Sequence, residues 1–213
     1  MLDLPIIKRE SESYITSLGG KVLDTLPTIG LEEISTRDNK AVAQRALVLN
    51  VMVNISFNAP LSIANEWLSA NDLHAALSEK ESSILNGSQP LDEKAKNLLR
   101  WDIESLLAAA WVGQLTQDLT PVQPIPDNLA TFFPSLKVKF DTDSFYSKFR
   151  VRSEEELYPK LDLFYRAHWY ARNCHLKGQN SDPFNLGVVQ DRRLLLEWVL
   201  NRNTEWDNVD LST

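Results

Sequence analysis

One cysteine, seven glycines, two methionines and three histidines are spread over 213 residues, and each scarcity removes a class of chemistry. Cys174, alone, can form no internal disulfide and no cysteine-based zinc centre; a reducing compartment is expected. So few glycines leave no glycine-rich loop able to bring backbone amides onto a phosphate. The longest apolar run, 106–113, is far short of the ~20 residues that span a bilayer. Met1-Leu2-Asp3-Leu4-Pro5 lacks the basic and apolar regions of a secretion signal. The expectation is a cytoplasmic protein with no membrane association. No serine stands in a nucleophile-elbow context.

What is abundant is apolar and acidic. With 43% hydrophobic residues and six tryptophans, the chain has material for one large unstapled core. A net charge of −7 and an isoelectric point near 5.0 make nucleic acid and anionic membrane poor partners. The excess acid lies mostly in residues 1–120. The remainder is near balance, with room for a basic patch at Lys137, Lys139, Lys148, Arg150 and Arg152 that reads first as a solvated face.

Periodicity and punctuation predict a mostly helical fold. Glu10 to Leu18 reads as a short helix stopped by Gly19-Gly20. Ser35 with Asp38 resembles a capping arrangement ahead of a helical row at Val42, Ala46, Leu49, Val53 and Phe57, although Val51 to Ile55 reads equally as a strand. Pro60 suits the first turn of a helix through Trp67. Ser78 and Glu81 form a capping-box pattern, and Gly87 ends that helix. Pro90 opens the strongest helix, to about Gly113, whose last third is apolar all round and so belongs at the centre. A proline-rich connection at Pro121, Pro124, Pro126 and Pro134 divides two halves. Lys137 to Phe140 alternates and predicts the one small β element. Ser153 and Glu156 supply a second capping box for a helix to about Leu176, and a last helix runs from Gly187 to about Arg202.

Several segments share an order and spacing with a known group. They are Trp67-Leu68 with Leu77-Ser78-Glu79-Lys80-Glu81; Trp101-Asp102-Ile103-Glu104-Ser105-Leu106; Arg152-Ser153 with Glu156; Tyr165-Arg166-Ala167-His168-Trp169; Gly187-Val188-Val189-Gln190-Asp191-Arg192-Arg193; and Glu197-Trp198 with Trp206-Asp207-Asn208-Val209. Together they resemble the bacterial domain of unknown function 4272 family, from about residue 35 onward. Asp191 stands where the family pattern has glutamate, and the ending Asp210-Leu211-Ser212-Thr213 departs from its Asp-Thr. The resemblance supports a single helical domain over 35–213, preceded by a helix and extended arm over 1–34. It brings no activity with it.

Helical geometry, at 100° per residue, singles out charges on apolar faces. Asp102 falls among Ala95, Leu98, Leu99 and Leu106. His168 falls in the row Leu157, Leu161, Phe164, Ala171, and Arg192 lies between Val188, Leu195 and Val199. A lone buried charge costs several kcal/mol, so each must be paired or neutral. One reading makes Asp102–Arg192 a structural bridge and His168 a neutral core histidine. The other lines a cleft with Asp102, Glu104, His168 and Arg192 as acid–base and anion-holding groups, with Trp101 and Arg166 as binding residues.

Other constellations are weaker. Cys174 and His175 are adjacent on a helix and point about 100° apart. Asp162 and Arg166 suit a surface i,i+4 pair. No metal site is expected: His74 with Glu79 and Glu81 lacks histidine spacing, and Glu205, Asp207 and Asp210 offer too few oxygens for a hard cation. No cofactor is implied. The tryptophans read as core first, with Trp67 and Trp206 open to a binding role. The functional expectation is a non-enzymatic helical module that binds another protein; the alternative is an enzyme or small-anion binder using the Asp/Glu/His/Arg cluster.

Overall fold

Side-chain caps start most of the helices. In the computed structural model, which describes residues 2–137 and 142–213, Asp3 accepts the Ile6 amide and begins α1 (Leu4–Ser17), well ahead of the expected Glu10. Asp38, not Ser35, caps α2 (Asn39–Ser56), accepting the Ala41 amide at 2.8 Å. α2 runs unbroken through Val51 to Ile55, so the strand alternative there is excluded; with nearly every residue buried, packing overrides β propensity. α3 spans Leu61–Ala70. The Ser78–Glu81 capping box closes as expected and opens α4 (Glu79–Leu85).

The Pro90 helix is two helices, α5 (Glu93–Arg100) and α6 (Asp102–Val112). The Trp101 amide bonds to Leu98, three residues back, and this tighter turn resets the phase. Leu98 is left 65% exposed while every residue from Glu104 to Val112 is buried. The expected central helix is therefore α6 alone. After the proline-rich connection come α7 (Thr142–Lys148), α8 (Glu154–Leu176) and α9 (Leu186–Leu200). The expected β element at 137–140 falls on residues outside those described, apart from Lys137, which lies in a turn. Among the described residues the fold is helical throughout, with a single isolated bridge between Ser35 and Asn201.

The helices pack in series: α1 on α8, α8 on α9, α9 on α6, α6 on α2, and α3 and α5 on α2. Small side chains at Ser105, Ala108, Ala109 and Ala110 let α6 sit between α2 and α9 at close range. At its end, a Cβ on Gly113 would come 2.1 Å from the Phe149 ring, so glycine is required for the 149–152 segment to cross there. The C-terminal region is docked: Ser35, Arg37 and Arg202 exchange backbone hydrogen bonds with the end of α9 and with each other. Trp206 stacks edge-on against Trp198 at 5.8 Å.

Candidate functional site

Arg192 is fully buried, and its partner is Glu104 rather than Asp102. Nε and Nη2 reach Glu104 Oε2 at 2.8 and 2.6 Å, and the fork also donates to the carbonyls of Thr120 (2.5 Å) and Gln123 (2.8 Å). The expectation placed the inward acid two residues early because it assumed one continuous helix across Trp101. Burial raises the Glu104 carboxyl, and Arg192 pulls it back. The guanidinium thus ties α9, α6 and the proline-rich connection at one point.

Asp102 instead stands at the first residue of α6, half-buried. Its carboxyl is pushed up to about 7 by burial, then by the negative charges of Glu81 and Asp191, with Arg45 opposing. Asp191 on α9 is also pushed up to about 7, by burial and by Glu104. Among the described residues neither carboxyl has a hydrogen-bond or ion-pair partner. The seam between α6 and α9 therefore carries two carboxyls that hold a proton near neutrality. Beside them Trp101 is 41% exposed and packs on Gly187, where a Cβ would come 2.8 Å from its ring.

His168 lies elsewhere. It is 2% exposed, with Nδ1 at 3.0 Å from Arg193 Nη1. A guanidinium only donates, so Nδ1 carries the lone pair and the ring proton sits on Nε2. Burial, then Arg193 and Arg172, lower the imidazole to about 4. Arg193 also pairs with Glu197 at 2.8 Å, faces the Tyr165 ring, and reaches the carbonyls of Leu211 and Ser212 in the C-terminal segment. Consecutive residues on α9 point about 100° apart, so Arg192 serves the α6 side and Arg193 the α8 side. The structure does not bring His168 together with Asp102, Glu104 and Arg192.

Arg166 is a third such point. It is fully buried in a two-pronged pair with Asp162, both bonds 2.9 Å, and donates to Leu26 and Pro27 carbonyls and to Glu12. The expected surface pair is a buried clamp holding the 26–27 arm. Two arginines that sequence reasoning passed over behave alike. Arg45 pairs closely with Glu81 and lies over the Trp206 ring; Arg37 binds the carbonyls of Trp198, Asn201 and Thr204. Arg45 was findable: it interrupts the apolar run from Val42 to Val53, the same sign that marked Arg192.

The surface offers a different opening. Between α2, α6 and residues 125–130 lies a cleft of about 340 Å3, walled by Val53, Phe57, Ile103, Leu106, Ile125 and Leu129, with Asn50, Asn54 and Asp127 as its polar groups. Phe57 at its rim is 61% exposed, unusual for a phenylalanine with a core within reach. The tryptophans divide: Trp67, Trp111 and Trp198 are buried, Trp169 and Trp206 half-buried, Trp101 exposed. His175 is exposed and Cys174 buried, so they form no pair. No cluster of three or more potential metal ligands occurs among the described residues, and no described helix is long and apolar enough to cross a membrane.

Helices from both halves, locked by buried guanidinium clamps, define a mostly helical domain. The chain belongs to the family described as domain of unknown function DUF4272, whose model matches residues 7–209. The match begins inside α1, ahead of the residue 35 at which the sequence segments placed it. No curated protein and no solved structure matches the chain.

Proposed function

We propose that this protein is a non-enzymatic, cytoplasmic helical module that binds another protein through the cleft between α2 and α6. The observation that carries the reading is Phe57, 61% exposed beside a cleft of apolar side chains. Exposed aromatic residues next to a preformed apolar concavity are the usual anchors of protein interfaces. The internal electrostatics support it: the arginines predicted or found inside the body bind carboxylates and loop carbonyls of the same chain, a scaffold-building role. A photo-reactive residue placed at Phe57 should yield one discrete protein adduct in cells, lost on Ile103→Asp, whereas the same residue at exposed Leu176 on α8 should yield none. Equal adducts from both positions, or none from Phe57, would remove the reading.

One observation favours a second reading, an enzyme or small-anion binder. Asp102 and Asp191 are both pushed up to about 7 and have no hydrogen-bond or ion-pair partner among the described residues, which suits proton transfer at physiological pH. That reading requires a compound whose turnover is lost in both Asp102→Asn and Asp191→Asn while folding is retained.

A further inference from the structure

At the other end of the helix series, the segment 19–23 that follows α1 and the C-terminal half of α8 with residues 177–180 enclose a larger cleft of about 480 Å3. Its walls are held in place. The chain leaves α1 through Gly19, at φ +86°, and the Gly20 amide bonds back to Ile15 at 3.0 Å. A Cβ on Gly20 would come 2.5 Å from Ile15 Cγ2 and 3.3 Å from Tyr170 Cε1, so glycine lets the arm lie directly on the tyrosine. Tyr170 in turn sits edge-on to Phe184 at 5.5 Å. Opposite the arm, Trp169 and Asn173 rise from α8, and Lys177 and Gln179 follow at its end.

The charge of this cleft is inverted relative to the molecule. The chain carries −7 overall, yet the charged side chains lining the cleft are Lys21 and Lys177, and no carboxylate lines it. Asp182, not itself part of the lining, accepts the side-chain amide of Asn180 at 2.7 Å. The end of α8 would ordinarily repel an anion, but the carbonyls of Asn173, Cys174 and His175 are tied by the amides of Lys177, Gly178 and Gln179. The side chains of Lys21, Lys177, Asn173 and Gln179 have no hydrogen-bond or ion-pair partner among the described residues. In this they differ from Arg37, Arg45, Arg166, Arg192 and Arg193, all of which are engaged internally.

Two ammonium groups, three carboxamides (Asn173, Gln179 and Asn180, the last held by Asp182) and two aromatic rings around one volume are a specific combination. Lysines hold phosphate as point charges. Asn and Gln carry both donor and acceptor and match the edge of adenine bidentately. Indole and phenol faces accept a stacked base. The volume lies in the range of roughly 300–1,000 Å3 typical of small-ligand sites. We propose that this cleft binds a nucleoside phosphate, its base against Trp169 and Tyr170 and read by Asn173 and Gln179, its phosphate between Lys21 and Lys177. The inference is independent of the α2–α6 cleft.

Isothermal titration of the full chain with AMP, adenosine and inorganic phosphate tests it. AMP is expected to bind at least about tenfold more tightly than either fragment. The double variant Lys21→Gln/Lys177→Gln should weaken AMP by about tenfold or more and leave adenosine unchanged, and the Lys→Arg double variant should restore AMP binding. Both lysines are exposed, so the variants should melt with the parent. The proposal is overturned by no AMP binding up to roughly 5 mM, by adenosine binding as tightly as AMP, by phosphate alone binding as tightly as AMP, or by a glutamine double variant that binds like the parent.

Discussion

Asp102 and His168 both lie in water-poor surroundings, and the same cause moves their proton affinities in opposite directions. Burial disfavours whichever form is charged. His168 falls to about 4 in the folded chain, against about 6.5 unfolded. The unfolded chain therefore binds the extra proton between those values, so the stability His168 supports is present above the unfolded value and lost as pH falls toward 4. A two-dimensional NMR titration should accordingly show His168 neutral down to pH 5, with its proton on Nε2. Asp102 rises to about 7 from about 4 unfolded. Here the folded chain holds the extra proton, so stability is greater on the acid side and declines as pH climbs through 7. Asp102→Asn is expected to gain on the order of 1–3 kcal/mol at pH 8 in urea unfolding and little at pH 4; no gain at pH 8 would mean that water reaches this carboxyl freely. Arg192→Met strands buried Glu104 and should cost about 3–5 kcal/mol. Adding Glu104→Leu should recover most of that, short of the cost of leaving the Thr120 and Gln123 carbonyls unpaired, about 1–3 kcal/mol.

At the scale of elements, the informative departure is the break at Trp101. The stretch from Leu91 to Val112 contains no proline or glycine, so nothing local announces a boundary. The break follows from packing: Trp101 settles on Gly187, and α6 turns inward between α2 and α9. The consequence is chemical, because the shift of phase moves Glu104 inward and Asp102 to the half-buried seam. Two glycines at helix crossings separate rigid from adaptable contacts. Gly113→Ala would drive a methyl into Phe149, itself fully buried, and should destabilise by about 1–3 kcal/mol through overpacking. Gly187→Ala meets the exposed rim of Trp101, which can swing outward; thermal melting should show the smaller loss of the two. Equal losses would indicate that Trp101 is as confined as Phe149.

For the whole molecule, the two clefts lie at opposite ends of the helix series, and what holds the series together is a set of long-range clamps. Arg166 joins α8 to residues 26–27, Arg192 joins α9 to residues 120–123, and Arg193 joins α9 to the C-terminal segment. Trp206 closes the far side, between Trp198 and the guanidinium of Arg45. Trp206→Ala is expected to cost roughly 1–3 kcal/mol in denaturant unfolding, below the about 3–5 kcal/mol of a fully buried tryptophan, and to quench cooperativity at the α2–α9 end first in hydrogen exchange.

Helix content, the capping boxes at Ser78 and Ser153 and the burial of α6 were legible from residues alone, because caps and apolar periodicity are local properties. So was the rule that Arg192 and His168, lying on apolar faces, need a partner or neutrality. Which partner each found was a tertiary outcome. Arg192 took Glu104, His168 took Arg193, and Arg166 with Asp162 went from an expected surface pair to a buried clamp, since a guanidinium is satisfied only where carboxylates and loose loop carbonyls from distant parts of the chain meet in one place. The two clefts were likewise invisible in sequence: their walls join residues far apart in the chain, 19–23 with 169–180 and 50–57 with 103–130, and only the packing of α1 on α8 and α2 on α6 brings those side chains around a shared volume.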